Sequence, residues 1–321
     1  MNKKTVSLVL GSGGARGLAH IGVIRWLIEH NFEIKSISGC SMGALVGGFY
    51  ALGKLNTFEK WICEMSKLER FRLLDVSWKS GGLLEGNKIM NKLIDLGGEQ
   101  DIENLSIPYT AVAVDLANGK EVWMDRGSIF AAIRASMSLP LIFKPAIRNG
   151  RQMIDGGCLN PVPVSPTLKD NTVNDNIDFT IAVNLNGKIE HNIKEREKKI
   201  IIEDKILTNP QEENKTSKNI IDSIFGNRLS QVSQSFADYK AKFSAKKTRR
   251  LSPEIRFSEV ANQAFDAMQS VIARHKLAAY PPDYTVEVPR NVCGTLNFER
   301  SKEMIHLGYQ KAEEGLSRIA K

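Results

Sequence analysis

The feature that most constrains this chain is the pentapeptide Gly39-Cys-Ser-Met-Gly43, a Gly-x-Ser-x-Gly sequence. It follows an apolar run at 34–38, which is typical of a strand, and precedes a helix-like stretch from Ala44 to Leu52. A serine between a strand and a helix, flanked by glycines, has the pattern of a nucleophile elbow. Glycine permits the sharp turn, and the Ser41 hydroxyl is expected at the positive end of the following helix. The pattern therefore predicts a serine nucleophile.

A glycine-rich loop, Gly11-Ser-Gly-Gly-Ala-Arg-Gly17, follows the first apolar run. Glycines let the backbone approach a ligand and turn its N–H groups inward, so such a loop suits a phosphate or an oxyanion. A dinucleotide-binding Gly-x-Gly-x-x-Gly beginning at Gly11 would need glycine where Arg16 stands. The Gly-Lys-Ser/Thr of a P-loop does not occur. An oxyanion hole is therefore favoured over a nucleotide site, with a plain strand-to-helix turn as the alternative.

A third segment, Met153-Ile-Asp-Gly-Gly157, brings Asp155 to the end of an apolar strand and into a Gly-Gly turn. Asp-Gly turns are common, so this segment alone predicts only a turn. The segment becomes informative about function only because it follows the other two segments in the chain.

Together the three segments resemble the patatin-like phospholipase family, in which a glycine-rich loop with arginine, Gly-x-Ser-x-Gly and Asp-Gly-Gly follow in this order. The resemblance covers residues 5–185 well and 265–315 loosely. One departure is visible, because the family's loop usually carries glycine where Ser12 stands. Further matching segments are Ala135-Ser-Met-Ser-Leu-Pro140, Phe143 with Pro145, Asn160-Pro-Val-Pro163 and, more weakly, Pro282-Asp-Tyr284.

The resemblance implies a serine acyl hydrolase that cleaves carboxylic esters of phospholipids or lysophospholipids through a Ser–Asp dyad without histidine. Ser41 would attack the carbonyl carbon, and Asp155 would accept its proton. An aspartate with an ordinary pKa of about 3.9 is a weak base at neutral pH, so a dry, acyl-lined site would have to raise that pKa. The implied oxyanion hole and remaining motif positions are Gly13, Gly14, Ala15 and Arg16, then Gly11, Gly17, Gly39, Gly43, Gly156 and Gly157.

A Ser-His-Asp triad stays open as an alternative. In α/β-hydrolases the histidine comes last in the chain, which nominates His275 or His306, although both lie in mixed, helix-like surface stretches. On a helix, His20 would share a face with Arg16 at i, i+4, so we expect it near the glycine loop.

Two other function classes also remain: a non-catalytic relative that serves as an interaction or regulatory scaffold, and a nucleotide-dependent enzyme. The intact Ser41 and Asp155 oppose the first, and the glycine spacing opposes the second. The four cysteines show no metal spacing and no calcium-loop pattern occurs, so we expect neither a metal nor a cofactor.

The net charge of +8 is concentrated at residues 240–250, which hold six basic residues and no acidic one beside aromatic residues. This segment predicts peripheral binding to an anionic membrane, with a solvated helix face as the alternative. Because no nucleic-acid-binding module is recognisable, we expect no nucleic-acid partner. The chain lacks an apolar run of membrane-spanning length and a signal-like start, so a cytoplasmic location is expected.

Alternation of strand and helix patterns predicts an α/β fold, and the resemblance implies a patatin-like three-layer α/β/α arrangement with a mainly parallel central sheet. We expect one domain over 1–321, with a polar and basic insertion, lid or mobile segment at 186–250. The expected strands are 5–10, 34–38, 109–115, 120–124, 151–155, 178–185 and 283–288. The expected helices are 17–30, 42–53, 57–72, 86–96, 128–137, 217–247, 255–279 and 299–319.

Overall fold

The computed structural model describes residues 3–73, 75–77, 83–171, 177–190 and 257–320. Nearly all of them belong to one compact unit, formed by Met1–His191 and Ala261–Lys321. The second unit is Asn192–Val260, of which only 257–260 are described. The predicted helix at 217–247 and the basic segment at 240–250 lie outside the described residues. The single domain with an insertion therefore stays a prediction.

The central sheet has eight strands in the order β10-β9-β1-β2-β5-β8-β7, with β6 also paired to β5. The five strands from β10 to β5 run parallel, whereas β6, β7 and β8 are antiparallel to their neighbours. The mainly parallel sheet of the α/β prediction is thus confirmed. The strands are β1 Lys4–Leu10, β2 Phe32–Cys40, β5 Tyr109–Asp115, β6 Lys120–Met124, β7 Ala146–Arg148, β8 Arg151–Asp155, β9 Phe179–Gly187 and β10 Tyr284–Pro289. A separate small sheet pairs β3 Val76–Ser77 with β4 Leu83–Leu84.

The helices connect these strands, and a 3-10 turn at Gly14–Leu18 precedes the first of them. The stretch 57–72, expected to be helical, is occupied by two helices rather than one. Ser66 accepts the N–H of Glu69 on its hydroxyl at 3.1 Å and so caps the second of the two. The helices are α1 Ala19–Glu29, α2 Met42–Ala51, α3 Leu55–Glu64, α4 Lys67–Leu73, α5 Asn87–Gly97, α6 Ile129–Ser136, α7 Ser165–Asn171, α8 Phe257–Ala279 and α9 Ser301–Ala320.

Both faces of the sheet are buried. Leu8 and Leu10 of β1 belong to the large core cluster that includes residues of α1, α2 and α9. Val9, between them, belongs to a second cluster with Val162 and with Ala273 of α8. Because successive side chains of a strand point to opposite faces, the two clusters lie on opposite sides of the sheet. Layers therefore cover both faces, as a three-layer α/β/α arrangement requires.

The first two residues of the predicted insertion at 186–250 belong to the central sheet. Residues 186 and 187 complete β9, where Gly187 pairs with Pro289 of β10.

The sheet register brings the three sequence motifs to one edge. Leu10 at the end of β1 pairs with Gly39 of β2, so the glycine loop and the serine elbow leave the sheet side by side. Cys40 pairs with Val112, and Asp155 pairs with the next residue, Ala113. Carboxyl ends of parallel strands are the usual position of sites in such sheets.

Candidate active site

Ser41 lies on a strained turn between β2 and α2. Its backbone has φ 56° and ψ −121°, a left-handed conformation that is uncommon for a residue other than glycine. Gly43 packs directly against the end of β1, since a Cβ at this position would lie 2.8 Å from the carbonyl oxygen of Gly11. The elbow is therefore held against the glycine loop, and any larger residue at 43 would separate them. This is the geometry expected of a nucleophile elbow.

The segment 135–140 holds the backbones of both Ser41 and Asp155. The Ser41 N–H donates to the hydroxyl oxygen of Ser136 at 2.9 Å, and that hydroxyl donates to the Val112 carbonyl at 2.6 Å. The Asp155 N–H donates to the carbonyl oxygen of Ser138 at 2.9 Å. Ser136 and Ser138 thus position the elbow and the Asp-Gly-Gly turn, which was not predicted from the sequence.

The Asp155 carboxylate is buried and only partly satisfied by hydrogen bonds. Its Oδ1 accepts the Gly157 N–H at 2.7 Å and lies 3.8 Å from the Cys40 sulfur. Its Oδ2 has no partner within hydrogen-bond distance among the described residues. Burial raises the pKa of Asp155 from 3.8 to about 6, while the Ser41 hydroxyl, the Gly157 N–H and the Cys40 thiol offset part of that rise. The Ser41 hydroxyl thus lowers the pKa of the carboxylate although no hydrogen bond of ordinary length joins the two groups. Catalytic hydrogen bonds are often long before substrate binds.

Two N–H groups of the glycine loop are free to bind a ligand. In the described ranges, the N–H groups of Gly13 and Gly14 have no acceptor, and Gly14 lines the same cavity as Ser41. The loop is held from outside, because the Gly11 N–H donates to the Val183 carbonyl and the Ser12 N–H to the Pro161 carbonyl. Pro161 belongs to the Asn160-Pro-Val-Pro163 segment, whose role is therefore to fix this loop.

The oxyanion prediction narrows to Gly13 and Gly14. The Ala15 N–H already donates to the Thr295 carbonyl oxygen at 2.9 Å. The Arg16 guanidinium is buried in an ion pair with Asp266 of α8 at 2.8 Å and also donates to the Arg290 carbonyl at 2.9 Å. Both groups are committed to the C-terminal part of the chain, so neither donates toward Ser41 in this conformation.

Gln269 on α8 links the glycine loop to the Asp-Gly-Gly turn. Its amide donates to the Ser12 hydroxyl at 3.1 Å, and a Cβ built on Gly157 would collide with the same amide nitrogen. Ser12, where the family usually has glycine, is therefore the acceptor for a residue far along the chain. Gln269 was not predicted from the sequence, although Asp266, Gln269 and Ser270 share a helical face with the core residue Ala273.

The structure does not bring a histidine into the dyad. Among the described residues, no histidine is a hydrogen-bond partner of Ser41 or Asp155. His20 does lie at the glycine loop, as predicted, with its Nε2 2.8 Å from the Gly11 carbonyl oxygen. Burial lowers the pKa of His20 to about 4, so this ring is neutral. His275 is exposed on α8.

A largely apolar cavity of about 570 Å³ contains Ser41. Helices α3, α4 and α5 and the segments at 137–143 and 295–299 contribute its lining. Its lining includes Phe58, Trp61, Ile62, Leu93, Ile142 and Phe143. A cavity of this size and composition suits an apolar ligand whose reacting group reaches Ser41.

Two features are absent from the described ranges. No cluster of three or more His, Cys, Asp or Glu side chains there has the arrangement of a metal site. No helix in those ranges combines the length and apolar composition that crossing a membrane requires.

Comparison with known proteins places these features in a family. The patatin-like phospholipase family matches residues 8–168, which include the glycine loop, the elbow and the Asp-Gly-Gly turn. An uncharacterised NTE family protein of Mycobacterium tuberculosis is 38% identical over 332 residues, covering 97% of this chain and 91% of that protein. Lysophospholipase NTE1 of Meyerozyma guilliermondii is 30% identical over 177 residues, covering 53% of this chain and 12% of that protein. The chain thus belongs to the patatin-like phospholipase family of lipid ester hydrolases.

Proposed function

We propose that this chain cleaves the carboxylic ester of a phospholipid or lysophospholipid with a Ser41–Asp155 dyad and an acyl-enzyme intermediate. The observation that carries the proposal is that Ser41 and Asp155 lie at neighbouring positions of the sheet edge. Ser41, on its strained turn, lines an apolar cavity. Asp155 is a buried carboxylate with a pKa of about 6, and it pairs with the residue of β5 that follows the partner of Cys40. A carboxylate of that pKa is ionised at neutral pH and is a much stronger base than an ordinary aspartate.

In the first half-reaction, the Ser41 Oγ bonds to the ester carbonyl carbon while its proton passes to Asp155. The carbonyl electrons move onto oxygen, and the N–H groups of Gly13 and Gly14 stabilise the resulting oxyanion. The carbonyl then re-forms, the bond to the alcohol oxygen breaks, and the alcohol takes the proton from Asp155. Ser41 is left esterified by the acyl group.

In the second half-reaction, water gives its proton to Asp155 and attacks the acyl carbon. The tetrahedral intermediate collapses, the Ser41 Oγ leaves, and Asp155 returns the proton to it. The products are a fatty acid and the original enzyme, so Asp155 serves as base and acid in each half.

The size and lining of the cavity support a lipid substrate. A volume of about 570 Å³ and a largely apolar lining suit a long acyl chain. We propose a monoacyl lipid such as a lysophospholipid, because the name of the fungal relative points that way.

We also propose that the enzyme works in the cytoplasm and meets its substrate by reversible contact with an anionic membrane. The net charge of +8 and the basic segment at 240–250 support this.

Hydrolysis assays test the proposal. Purified protein would be offered lysophospholipid, diacyl phospholipid, triacylglycerol and short p-nitrophenyl esters, with Ser41→Ala as the inactive control. We expect hydrolysis of the short ester and of lysophospholipid, with the diacyl lipid slower, and no activity in the control. Absence of all ester hydrolysis in wild type would favour the scaffold alternative, and activity retained in Ser41→Ala would exclude Ser41 as nucleophile.

A further inference from the structure

The mouth of the Ser41 cavity is surrounded by exposed leucine and phenylalanine side chains. Phe71 of α4 and Leu296 line the cavity, yet they are 74% and 57% exposed, so the cavity opens to solvent beside them. Leu68, which shares a face of α4 with Phe71 at i, i+3, is 60% exposed, and Leu141 is 68% exposed. We call these four residues the mouth surface. Exposed apolar groups clustered in this way mark interaction sites rather than ordinary surface.

Leu141 is held outward by its own turn. Its backbone has a φ of 69°, a conformation that is rare for a bulky residue. The turn is fixed on both sides, because the N–H groups of Ile142 and Phe143 both donate to the Leu139 carbonyl, at 3.2 and 2.9 Å. A strained leucine that presents its side chain to solvent gains nothing for folding, so strain and exposure together indicate a role in binding.

Basic side chains predominate on α4, the helix that carries Leu68 and Phe71, because Lys67, Arg70 and Arg72 stand there against Glu69 alone. Within the described part of the chain, none of these three basic residues forms an ion pair. Two further acidic residues, Asp75 and Glu299, line the cavity. Each acidic residue accepts neutral N–H groups: Glu69 from the Trp61 indole at 3.3 Å, Asp75 from Gly86 and Asn87 at 2.7 Å, and Glu299 from the Asn297 side chain at 2.9 Å. Basic side chains next to exposed apolar ones complement phosphate headgroups above acyl chains.

We propose that the mouth surface is the face by which this chain docks on an anionic phospholipid membrane, with Leu68, Phe71, Leu141 and Leu296 entering the acyl region. A protein partner seated there would close the entrance through which substrate must reach Ser41. A lipid surface keeps that entrance open and supplies the substrate directly into the cavity. The proposal rests on the proposed function.

Vesicle binding tests the proposal with variants whose substituted residues lie outside the cavity lining. The variant Leu68→Gln/Leu141→Gln changes two mouth residues that do not line the cavity. The control is Ile147→Gln, because Ile147 is 69% exposed on β7 and also lies outside the cavity lining. Binding would be measured by co-sedimentation with vesicles of equal parts phosphatidylglycerol and phosphatidylcholine, and of phosphatidylcholine alone.

We expect the double variant to bind the anionic vesicles at least tenfold more weakly, since two leucines lose their burial in lipid. Ile147→Gln should bind like wild type. Arg72→Gln should weaken binding to anionic vesicles about fivefold and leave binding to neutral vesicles unchanged. The double variant should also hydrolyse lysophospholipid carried in anionic vesicles more slowly, while hydrolysing a soluble p-nitrophenyl ester at the wild-type rate.

Equal vesicle binding by wild type and the double variant would overturn the proposal. So would a change in oligomeric state of the double variant in light scattering, because a second copy would then be the occupant. The soluble ester separates this inference from the proposed function. If wild type fails to hydrolyse that ester, the hydrolase assignment fails, whereas normal ester hydrolysis with unchanged vesicle binding rejects only the docking surface.

Discussion

Two buried aspartates on adjacent strands have pKa values that are shifted in opposite directions. Asp115 ends β5 and Asp155 ends β8, and their strands pair so that Ala113 faces Asp155 and Asp115 faces Met153. Each is only 1% exposed. Hydrogen bonds from Asn118 are the main reason that the pKa of Asp115 is lowered, helped by the Ala117 N–H and Arg151. For Asp155, burial dominates and raises the pKa to about 6.

The difference shows that burial alone does not make a carboxylate reactive. Asp115 accepts the Asn118 side-chain amide at 2.7 Å on Oδ2 and the Ala117 N–H at 3.1 Å on Oδ1, so its charge is satisfied. Asp155 keeps Oδ2 without a hydrogen-bond partner in the described ranges. A charge with too few donors is a base available for a proton, whereas a fully bonded one holds the turn that follows its strand.

The largest expected effect is a difference in kcat between variants of the two aspartates. Asp155→Asn should lower kcat by about 10³-fold, the usual scale of losing a general base. Asparagine still accepts the Gly157 N–H, so the turn survives. Asp115→Asn should keep kcat within a few-fold of wild type. Steady-state hydrolysis of a p-nitrophenyl ester measures both.

If both aspartate variants lost a similar factor in kcat, the loss would be due to disturbed pairing of β5 and β8 and not to a missing base. A histidine variant as inactive as Asp155→Asn, with His20→Ala the first to examine, would restore the triad alternative.

The next effect concerns stability, because the charges of the two aspartates should change the free energy of unfolding in opposite directions. Unfolded Asp155 ionises near its ordinary pKa of 3.8, but in the folded chain it ionises near 6. Its charge therefore destabilises the folded state increasingly as pH rises through that window, by up to about 3 kcal/mol above it. Asp155→Asn should raise the melting temperature at pH 7.5, with the gain shrinking toward pH 4.

For Asp115 the pKa is lowered on folding, so its charge stabilises the fold at neutral pH and that contribution disappears in acid. Asp115→Asn should lower the melting temperature at pH 7.5. Thermal unfolding monitored by circular dichroism checks both variants. A lower melting temperature for Asp155→Asn at neutral pH would contradict the unsatisfied-carboxylate interpretation.

A smaller effect is expected at Gln269, which touches both the glycine loop and the turn after Asp155. Gln269→Met keeps the length of the side chain and removes the donor to Ser12, so the Gly13 and Gly14 donors should be less well fixed. We expect kcat to fall about tenfold with KM nearly unchanged, because the loss concerns transition-state geometry.

The matched control is Gln263→Met, an exposed position on the same helix, which should behave like wild type. Ser12→Gly should lower kcat as Gln269→Met does, and the double variant should be no worse than either single one. Fully additive losses would show that the Ser12–Gln269 hydrogen bond does not position the loop.

Much of the fold could be predicted because its central strands are buried on both faces. Such strands appear as continuous apolar runs, and β5, buried along its whole length, has the bounds that the sequence indicated. β6 and β8 also have the expected bounds, although both are partly exposed. β7 was missed although Asn149-Gly150, with φ of 50° and 72°, forms the tight turn that joins it to β8. That dipeptide is a strong hairpin signal, but a three-residue strand has too few residues to show alternation.

The site was predictable where a residue acts through its local turn and unpredictable where it acts through long-range contacts. The Gly-x-Ser-x-Gly spacing predicted the elbow because the strain at Ser41 is local. The commitment of Arg16 to Asp266, 250 residues away, depends on how α8 packs and has no sequence signature. The pKa of Asp155 is likewise set by what surrounds it, which no motif states.

The most direct test of the Ser41–Asp155 dyad is the pH dependence of fluorophosphonate labelling, with the modified serine identified by mass spectrometry. In wild type we predict labelling at Ser41, with a rate that falls about tenfold per pH unit below about pH 6, where Asp155 becomes protonated. In Asp155→Asn the rate should be far lower and that acid limb should be gone. Labelling of another serine, or the same acid limb at a wild-type rate in Asp155→Asn, would contradict the dyad.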